Sequence, residues 1–524
     1  MTKRFPIYPF LFVLYFVLTP LVLNLEQIDP LQVARPLIVL LTIVLLSIFV
    51  FYAFFKDWQY AGYFVFLCFV FFFAYGHLSR LAQTWIPGDQ ELVPYILMLI
   101  WGIFLVVLSL KVFWRRLGCA GWIHMLLTVI LVTAILILGI SGVGEVIQTR
   151  QSFARTPGST ESPAAADPIH LNCEQQPDIY YIVLDGYGRA DILEGRYGVD
   201  NAAFLRGMER KGFFIGDQSH TNYTQTIYSI PSALSFTYLQ PEPIGVSGAK
   251  YFMQLMVENR IMRLLKACGY KTVSIESGFY YTNHFDTDVR LSSGTILSEF
   301  ERLLLADTPW DVLMDALDLT PAGDSHPGHR VRVLDSFKYL SNLPRMAGPK
   351  FVFAHIVTPH PPYVFGPQGE AMDPGWSYSM ADGSNYSGDW AGYRQGYAAQ
   401  VQFINQKVEQ TVDAILAKSD QPPVIIIQGD HGPGGSLDWG SPERTCLWER
   451  SGILNAYYLP GSGKDALYSE ISPVNSFRVV LNTYFGADLP LLPDETYFTS
   501  HELPRQIIDI TDERESKENC FAPR

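Results

Sequence analysis

The chain opens with five stretches of almost unbroken apolar residues: Ile7–Leu25, Pro36–Phe55, Tyr60–His77, Leu92–Leu110 and Trp122–Val143. Each is close to the ~20 residues a helix needs to cross the hydrocarbon core of a bilayer. The pattern therefore predicts an all-α bundle of five transmembrane helices over residues 1–143. A cleaved signal peptide does not fit the first stretch, which lacks a small-residue cleavage site and is followed by four more. Loop charge sets the orientation. Lys3 and Arg4 precede the first stretch, Lys56 lies between the second and third, and Lys111, Arg115 and Arg116 follow the fourth. A cytoplasmic N-terminus puts all six cations inside, as the positive-inside rule asks. An odd number of crossings then places everything after Val143 outside the cytoplasm. No Asp, Glu, Lys or Arg stands near the centre of any stretch. Transporters generally need such intramembrane charge, so the bundle reads as an anchor.

Residues 144–177 read as a linker, because the run ArgThrProGlySerThrGluSerProAlaAlaAla (155–166) is too small and polar to pack a core. Beyond it the period changes. Ile179–Leu184, Phe351–Val357, Val424–Ile427 and Leu454–Leu459 are short apolar runs suited to strands buried on both faces. Helical patterns separate them, at Asn201–Lys211, Tyr251–Cys268, Arg330–Asn342 and Tyr393–Lys418. This alternation predicts an α/β domain over 178–524, with a mainly parallel sheet flanked by helices. Ligands of such sheets collect at the C-terminal ends of the strands.

Charge divides the chain the same way. Residues 1–150 carry nine Lys/Arg and six Asp/Glu, which leaves −16 for residues 151–524 against −13 for the whole chain. An acidic exported half argues against a nucleic-acid partner, which needs basic patches. It leaves a phosphate ester open, because a bound cation reverses the local field. Cys173, Cys268, Cys446 and Cys520 all lie in that half. They suit two disulfides whose connectivity spacing does not fix, or four buried thiols.

Polar groups stand where the strand rule wants them. Asp185 closes the first apolar run, and Asp430 and His431 follow IleIleIleGlnGly (425–429). His355 and His360 bracket the end of PheValPheAlaHisIleValThrProHis (351–360). Singly, each reads as a turn residue, a cap or a core histidine. Together at one sheet edge, acidic oxygens with imidazole suit Zn²⁺ or Mn²⁺. A hydroxyl nucleophile is supplied by the stretch 219–235, which leads into a helix. Thr221, Thr224, Thr226 and Ser229 compete for that role on local chemistry, against the plain alternative of a helix N-cap. Glu443, Arg444, Glu449 and Arg450 form a charged cluster, read either as a solvated face or as an Arg gripping phosphate. His220 and His284 are candidates for a pocket rim.

The ordered set of Asp185 after its strand, ThrIleTyrSerIlePro (226–231), His355-x4-His360-Pro-Pro-Tyr363 and Asp430-His431-Gly432 resembles the alkaline phosphatase/sulfatase superfamily. Within it, the chain looks most like the five-span branch of lipoteichoic acid synthases and lipopolysaccharide phosphoethanolamine transferases. The resemblance implies an alkaline-phosphatase-like fold in the bacterial cytoplasmic membrane, with the catalytic domain outside. It implies one divalent ion, Zn²⁺ or Mn²⁺, on Asp185, Thr226, Asp430 and His431. Such transferases place the nucleophilic Thr five residues before a Pro, which selects Thr226 ahead of Thr224. His355 and His360 fall on the paired histidines that contact phosphate, leaving group or a second metal. The chain departs from the phosphoethanolamine transferases in having Asp185 where they carry Glu. It also lacks a His in the dozen residues after Gly432. The Cys-x-Pro-x-Arg signature of sulfatases is absent.

The activity so implied moves a phospho-headgroup from a phospholipid donor to a glycan or lipid acceptor through phospho-threonine. The alternatives are a phosphodiesterase or phosphatase using the same site, and a membrane scaffold that keeps the fold without catalysis.

Overall fold

A computed structural model describes residues 5–23, 33–85, 92–109, 126–138, 169–241, 248–257, 259–283, 285–293, 299–305, 308–310, 313, 325–372, 375, 378–500, 502–503 and 506–520. The chain divides into two compact units, Met1–Thr156 with Thr295–Pro321, and Pro157–Gly294 with Ala322–Arg524. His284 and most of the expected linker lie outside the described residues. The linker's last residues do not hang free. Ile169, Leu171 and Cys173 pack on the core of the second unit.

In the first unit, helices α1 (Tyr8–Leu23), α2 (Ala34–Phe55), α3 (Trp58–Trp85), α4 (Leu92–Ser109) and α5 (Leu126–Leu138) fall on the five apolar stretches. Among the described residues, α2 and the Trp58–Ser79 part of α3 are the two long and apolar enough to cross a membrane. This corrects the expected count of five. A 16-residue helix such as α1 rises only ~24 Å against a ~30 Å hydrocarbon core. The α2–α3 hairpin is tight for a local reason. Lys56 adopts the left-handed conformation at φ 60°, and its N–H donates to the Tyr52 carbonyl. Asp57 Oδ1 then accepts the N–H groups of Gln59 and Tyr60 at the start of α3. A seven-residue helix, Glu299–Leu305, belongs to this unit although it lies far along the chain. Its Phe300 and Leu304 are buried in a cluster with Val13, Val17, Val44 and Ile48. Two such side chains contribute roughly 1.5–3 kcal/mol each. Beside them Arg35 Nε donates to Glu301 Oε1 at 2.6 Å.

The second unit is built on a seven-stranded sheet. Its strands are β1 (Ile179–Leu184), β2 (Phe214–Ile215), β3 (Lys271–Ile275), β4 (Val289–Leu291), β5 (Lys350–Ile356), β6 (Val424–Gly429) and β7 (Asn455–Tyr458). The order is β2-β7-β6-β1-β5-β3-β4. The run from β6 to β4 is parallel, while β7 pairs antiparallel with both β6 and β2. The expected mainly parallel sheet is present, with the Leu454–Leu459 run turned antiparallel. Central β1 is buried at every position, and residues of alternate parity enter two separate cores. Helices α6 (Ala202–Arg210), α7 (Thr226–Ser235), α8 (Gly248–Val257), α9 (Arg260–Ala267), α10 (His326–Leu340), α11 (Trp390–Lys418), α12 (Leu447–Ser451) and α13 (Pro473–Phe485) flank it. The helix expected over Tyr251–Cys268 is two. Asn259 interrupts it and caps α9, its side chain accepting the Met262 N–H. Two disulfides, Cys173–Cys268 and Cys446–Cys520, close the connectivity that spacing left open.

Candidate metal and nucleophile site

The parallel register of β6, β1 and β5 brings their C-terminal ends level. Leu184 lies opposite both Ile356 and Gly429. The residues that follow therefore meet at one edge of the sheet. Asp185 takes its place because its N–H donates to the Ile356 carbonyl, and Gly186, at φ +70°, turns the chain away. The Gly186 N–H donates to Asp430 Oδ1 at 3.0 Å and ties the β1 and β6 loops together.

Asp185, Asp430 and His431 converge there, all buried, with one ligand atom from each within 4.8 Å of the others. His431 Nε2 lies 3.6 Å from Asp185 Oδ1 and 3.3 Å from Asp430 Oδ2. Those same two carboxylate oxygens are fully buried and have no hydrogen-bond partner. Buried polar atoms are almost always satisfied, so two unsatisfied carboxylate oxygens facing one imidazole nitrogen call for a cation. His431 Nδ1 lies 3.0 Å from the Gly432 carbonyl. A carbonyl only accepts, so Nδ1 carries the hydrogen and Nε2 presents its lone pair to the cluster. Burial and the nearby Arg450 charge lower the His431 pKa, which keeps the ring neutral. Burial alone would raise the Asp185 pKa, but the charge of His360 and the hydrogen bond with His355 hold it below the usual carboxylate range. The donor set therefore fits a divalent ion of the Zn²⁺ or Mn²⁺ kind.

The four competing hydroxyls separate cleanly. Thr221 Oγ1 and Ser229 Oγ both donate to the Asp430 carbonyl, at 2.5 and 2.7 Å. Thr224 Oγ1 donates to the Thr499 carbonyl and accepts the Thr499 N–H. Those three hold loops together. Thr226 Oγ1 instead lies 3.0 Å from His431 Nε2. It sits at the first position of α7, after an extended Gln225, at the positive end of the helix dipole.

The two histidines part company. His355 is fully buried, with Nε2 3.2 Å from Asp185 Oδ2 and Nδ1 2.9 Å from Thr282 Oγ1. Both nitrogens are engaged inside the protein, so the ring orients Asp185 and presents neither nitrogen to a ligand. His360 is partly open. Its Nδ1 lies 2.7 Å from the Pro361 carbonyl and its Nε2 3.7 Å from Asp382 Oδ2. Burial opposes its protonation, but the charges of Asp185 and Asp382 outweigh that and raise its pKa.

Asp382 and the true position of Arg450 escape the sequence reading. Asp382 Oδ1 accepts from Tyr393 Oη at 2.8 Å, and its Oδ2 lies 3.2 Å from Arg450 Nη1. Gly434 passes so close that a Cβ there would stand 2.1 Å from Asp382 Oδ2. A loop aspartate in AlaAspGlySerAsn (381–385) carries no periodic signal, so nothing in the sequence marks it. The expected charged cluster splits in two. Glu443 and Arg444 are exposed, Arg444 pairing with Asp438. Glu449 and Arg450 are buried, Glu449 accepting from Tyr197 Oη at 2.6 Å and the Ser436 N–H at 2.8 Å. His220 does not reach a pocket rim. It is buried against Arg189 and Glu515, where the end of the chain folds back.

No protein-family model matches the chain, and no curated protein does. Among solved structures it is similar to the C-terminal periplasmic domain of EcEptC from Escherichia coli, at 13% identity and a TM-score of 0.43 over 67% of this chain and 99% of that one. It is similar to the lipoteichoic acid synthase LtaP from Listeria monocytogenes, at 13% identity and a TM-score of 0.40 over 65% of this chain and 82% of that one. It is also similar to the phosphonate monoester hydrolase of Agrobacterium radiobacter, at 12% identity and a TM-score of 0.38 over 62% and 80%. Likenesses this distant carry no argument about chemistry, which stands on the side chains alone.

Proposed function

We propose that this chain is a membrane-anchored, divalent-ion-dependent transferase of the alkaline phosphatase/sulfatase type, with Thr226 as nucleophile. It moves a phospho-headgroup from a phospholipid to a glycan or lipid acceptor outside the cytoplasm. One observation carries the reading. Two unpartnered buried carboxylate oxygens, the lone pair of His431 Nε2 and the Thr226 hydroxyl face one another at a sheet edge.

An ion bound there supplies Lewis-acid stabilisation of the deprotonated hydroxyl and of charge on phosphoryl oxygens. The residues do the rest. Asp185, Asp430 and His431 are the holders, and His355 keeps Asp185 turned toward them. Thr226 Oγ loses its proton to solvent and attacks phosphorus. The Oγ–P bond forms as the P–O bond to diacylglycerol breaks. His360, with Nδ1 fixed and Nε2 toward the site, hands the leaving oxygen a proton. An acceptor hydroxyl then attacks the phosphorus and gives its proton back to His360, and the Oγ–P bond breaks to release Thr226. Anchorage in the donor's own bilayer raises the effective concentration of that donor.

The test is intact-mass analysis after exposure to membrane phospholipids. The reading expects a headgroup-phosphate adduct that maps to Thr226 and disappears in Thr226→Ala, whose folding is unchanged. Full turnover by Thr226→Ala defeats it. Headgroup phosphate released to water with no labelled acceptor moves the assignment to a phosphodiesterase.

A further inference from the structure

Arg450 is 1% exposed and is one of the largest fully buried side chains in the described part of the protein. A buried guanidinium close to a cation site calls for explanation, because it adds positive charge where two carboxylates gather to hold an ion. Its hydrogen bonds supply one. Nε donates to the Thr224 carbonyl at 2.9 Å. Nη1 donates to the Gly432 carbonyl at 3.0 Å and reaches Asp382 Oδ2 at 3.2 Å. Asp382 thus balances its charge.

The Gly432 carbonyl is the same oxygen that accepts from His431 Nδ1. Thr224 stands two residues before Thr226. One side chain therefore holds the acceptor that fixes the His431 tautomer and the loop that delivers the nucleophile. Guanidinium geometry is what allows this. Its donors diverge in a rigid plane, so three acceptors from three loops are met at once. A lysine ammonium keeps the charge but cannot span them.

We propose that Arg450 is the positioning residue of the site, locking the His431 ring and the Thr226 loop into the arrangement that binds the ion. This rests on the reading of the cluster as an ion site. Groups that orient metal ligands typically change affinity by 10–100-fold when removed.

The test measures Mn²⁺ and Zn²⁺ affinity by calorimetry on the full-length protein in detergent, alongside thermal melting in chelator. Arg450→Lys keeps a cation beside Asp382 and is expected to bind either ion at least roughly tenfold more weakly than wild type. The double variant Arg450→Met/Asp382→Asn removes the buried charges together, so that neither is stranded. It is expected to melt close to wild type and show the same loss of affinity. Wild-type affinity in a folded Arg450→Lys, or in the double variant, overturns the proposal. Wild-type protein that takes up neither ion defeats the ion-site reading itself, whatever the variants do.

Discussion

Asp430→Asn separates an ion site from an ordinary buried acidic pair, because its effect on stability changes sign with the ion. Asp430 Oδ1 accepts the Gly186 N–H, and an asparagine Oδ1 keeps that bond. The amide nitrogen then takes the place of the unpartnered Oδ2, which lies 3.3 Å from His431 Nε2. In chelator the Thr226 hydroxyl already stands 3.0 Å from that nitrogen, so no new hydrogen bond is credited to the amide, and the gain comes from the charge removed. The substitution removes one of two buried carboxylates whose facing atoms lie within 4.8 Å. At an effective dielectric of ~20 their repulsion is about 3–4 kcal/mol, an upper bound because neighbouring histidines offset part of it. Leaving a buried acceptor unsatisfied costs a further ~1–3 kcal/mol. Asp430→Asn is therefore expected to be at least as stable as wild type in chelator, by about 1 kcal/mol or more.

With the ion the order reverses. Ion at a hundredfold excess over its dissociation constant adds about 2.7 kcal/mol to wild type. The variant lacks the second carboxylate and gains little. At roughly 2 °C per kcal/mol for a domain of this size, wild type should melt ~5 °C higher with Zn²⁺ or Mn²⁺ than in chelator. The variant should move by ~1 °C or less and should melt above wild type once both are stripped. Thermal melting followed by circular dichroism, with and without ion, reads all four values. A variant several degrees less stable than wild type in chelator, with the ion raising both equally, refutes the reasoning and makes Asp430 a structural acid.

Gly432→Ala is expected to lower both stability and ion affinity, because its Cβ would stand 2.0 Å from the Glu449 carbonyl, a backbone atom that cannot swing aside. Overpacking of this kind costs ~1–3 kcal/mol, and unchanged melting would show that the Gly432 and Glu449 loops part freely. Replacing Cys446 and Cys520 by Ser together opens a loop of 74 residues and should cost up to about 4 kcal/mol in a denaturant titration. Since that bridge ties the chain end to α12, which carries Arg450, the same variant should also weaken ion binding, and undiminished affinity would separate the bridge from the site.

The parts of the fold written plainly in the sequence are those whose burial is complete. β1, β5 and β6 lie in the middle of the sheet, so every position is apolar or tightly packed and the runs announce themselves. β3 is equally buried from its second residue on, yet LysThrValSerIle passes unnoticed. Its polar members are satisfied by partners that sequence does not place beside them. Thr272 is bonded to Asp288 and Ser274 to Thr287. The antiparallel turn of β7 was illegible for another reason, since composition carries no strand direction. The convergence of Asp185, Asp430 and His431 was legible because each closes or directly follows an apolar strand, where α/β sheets present their ligands. The choice among four hydroxyls was not, because Thr221, Thr224 and Ser229 are distinguished from Thr226 only by carbonyls contributed from Asp430 and Thr499. Asp382 belongs to a loop and gains its place from Tyr393 and Arg450, neither of them near it in sequence.

The same long-range logic holds inside the first unit. Arg35 stands at the start of α2, and Lys56 at its far end, where the α2–α3 hairpin turns. Arg35 is bonded to Glu301, 266 residues further along the chain. With Arg35 largely exposed, that ion pair is of modest energy. Apolar burial does more, because Phe300 and Leu304 enter the cluster of Val13, Val17, Val44 and Ile48. Nothing in GluPheGluArgLeuLeuLeu (299–305) marks it as part of this unit, since every partner it meets there lies more than two hundred residues away in sequence.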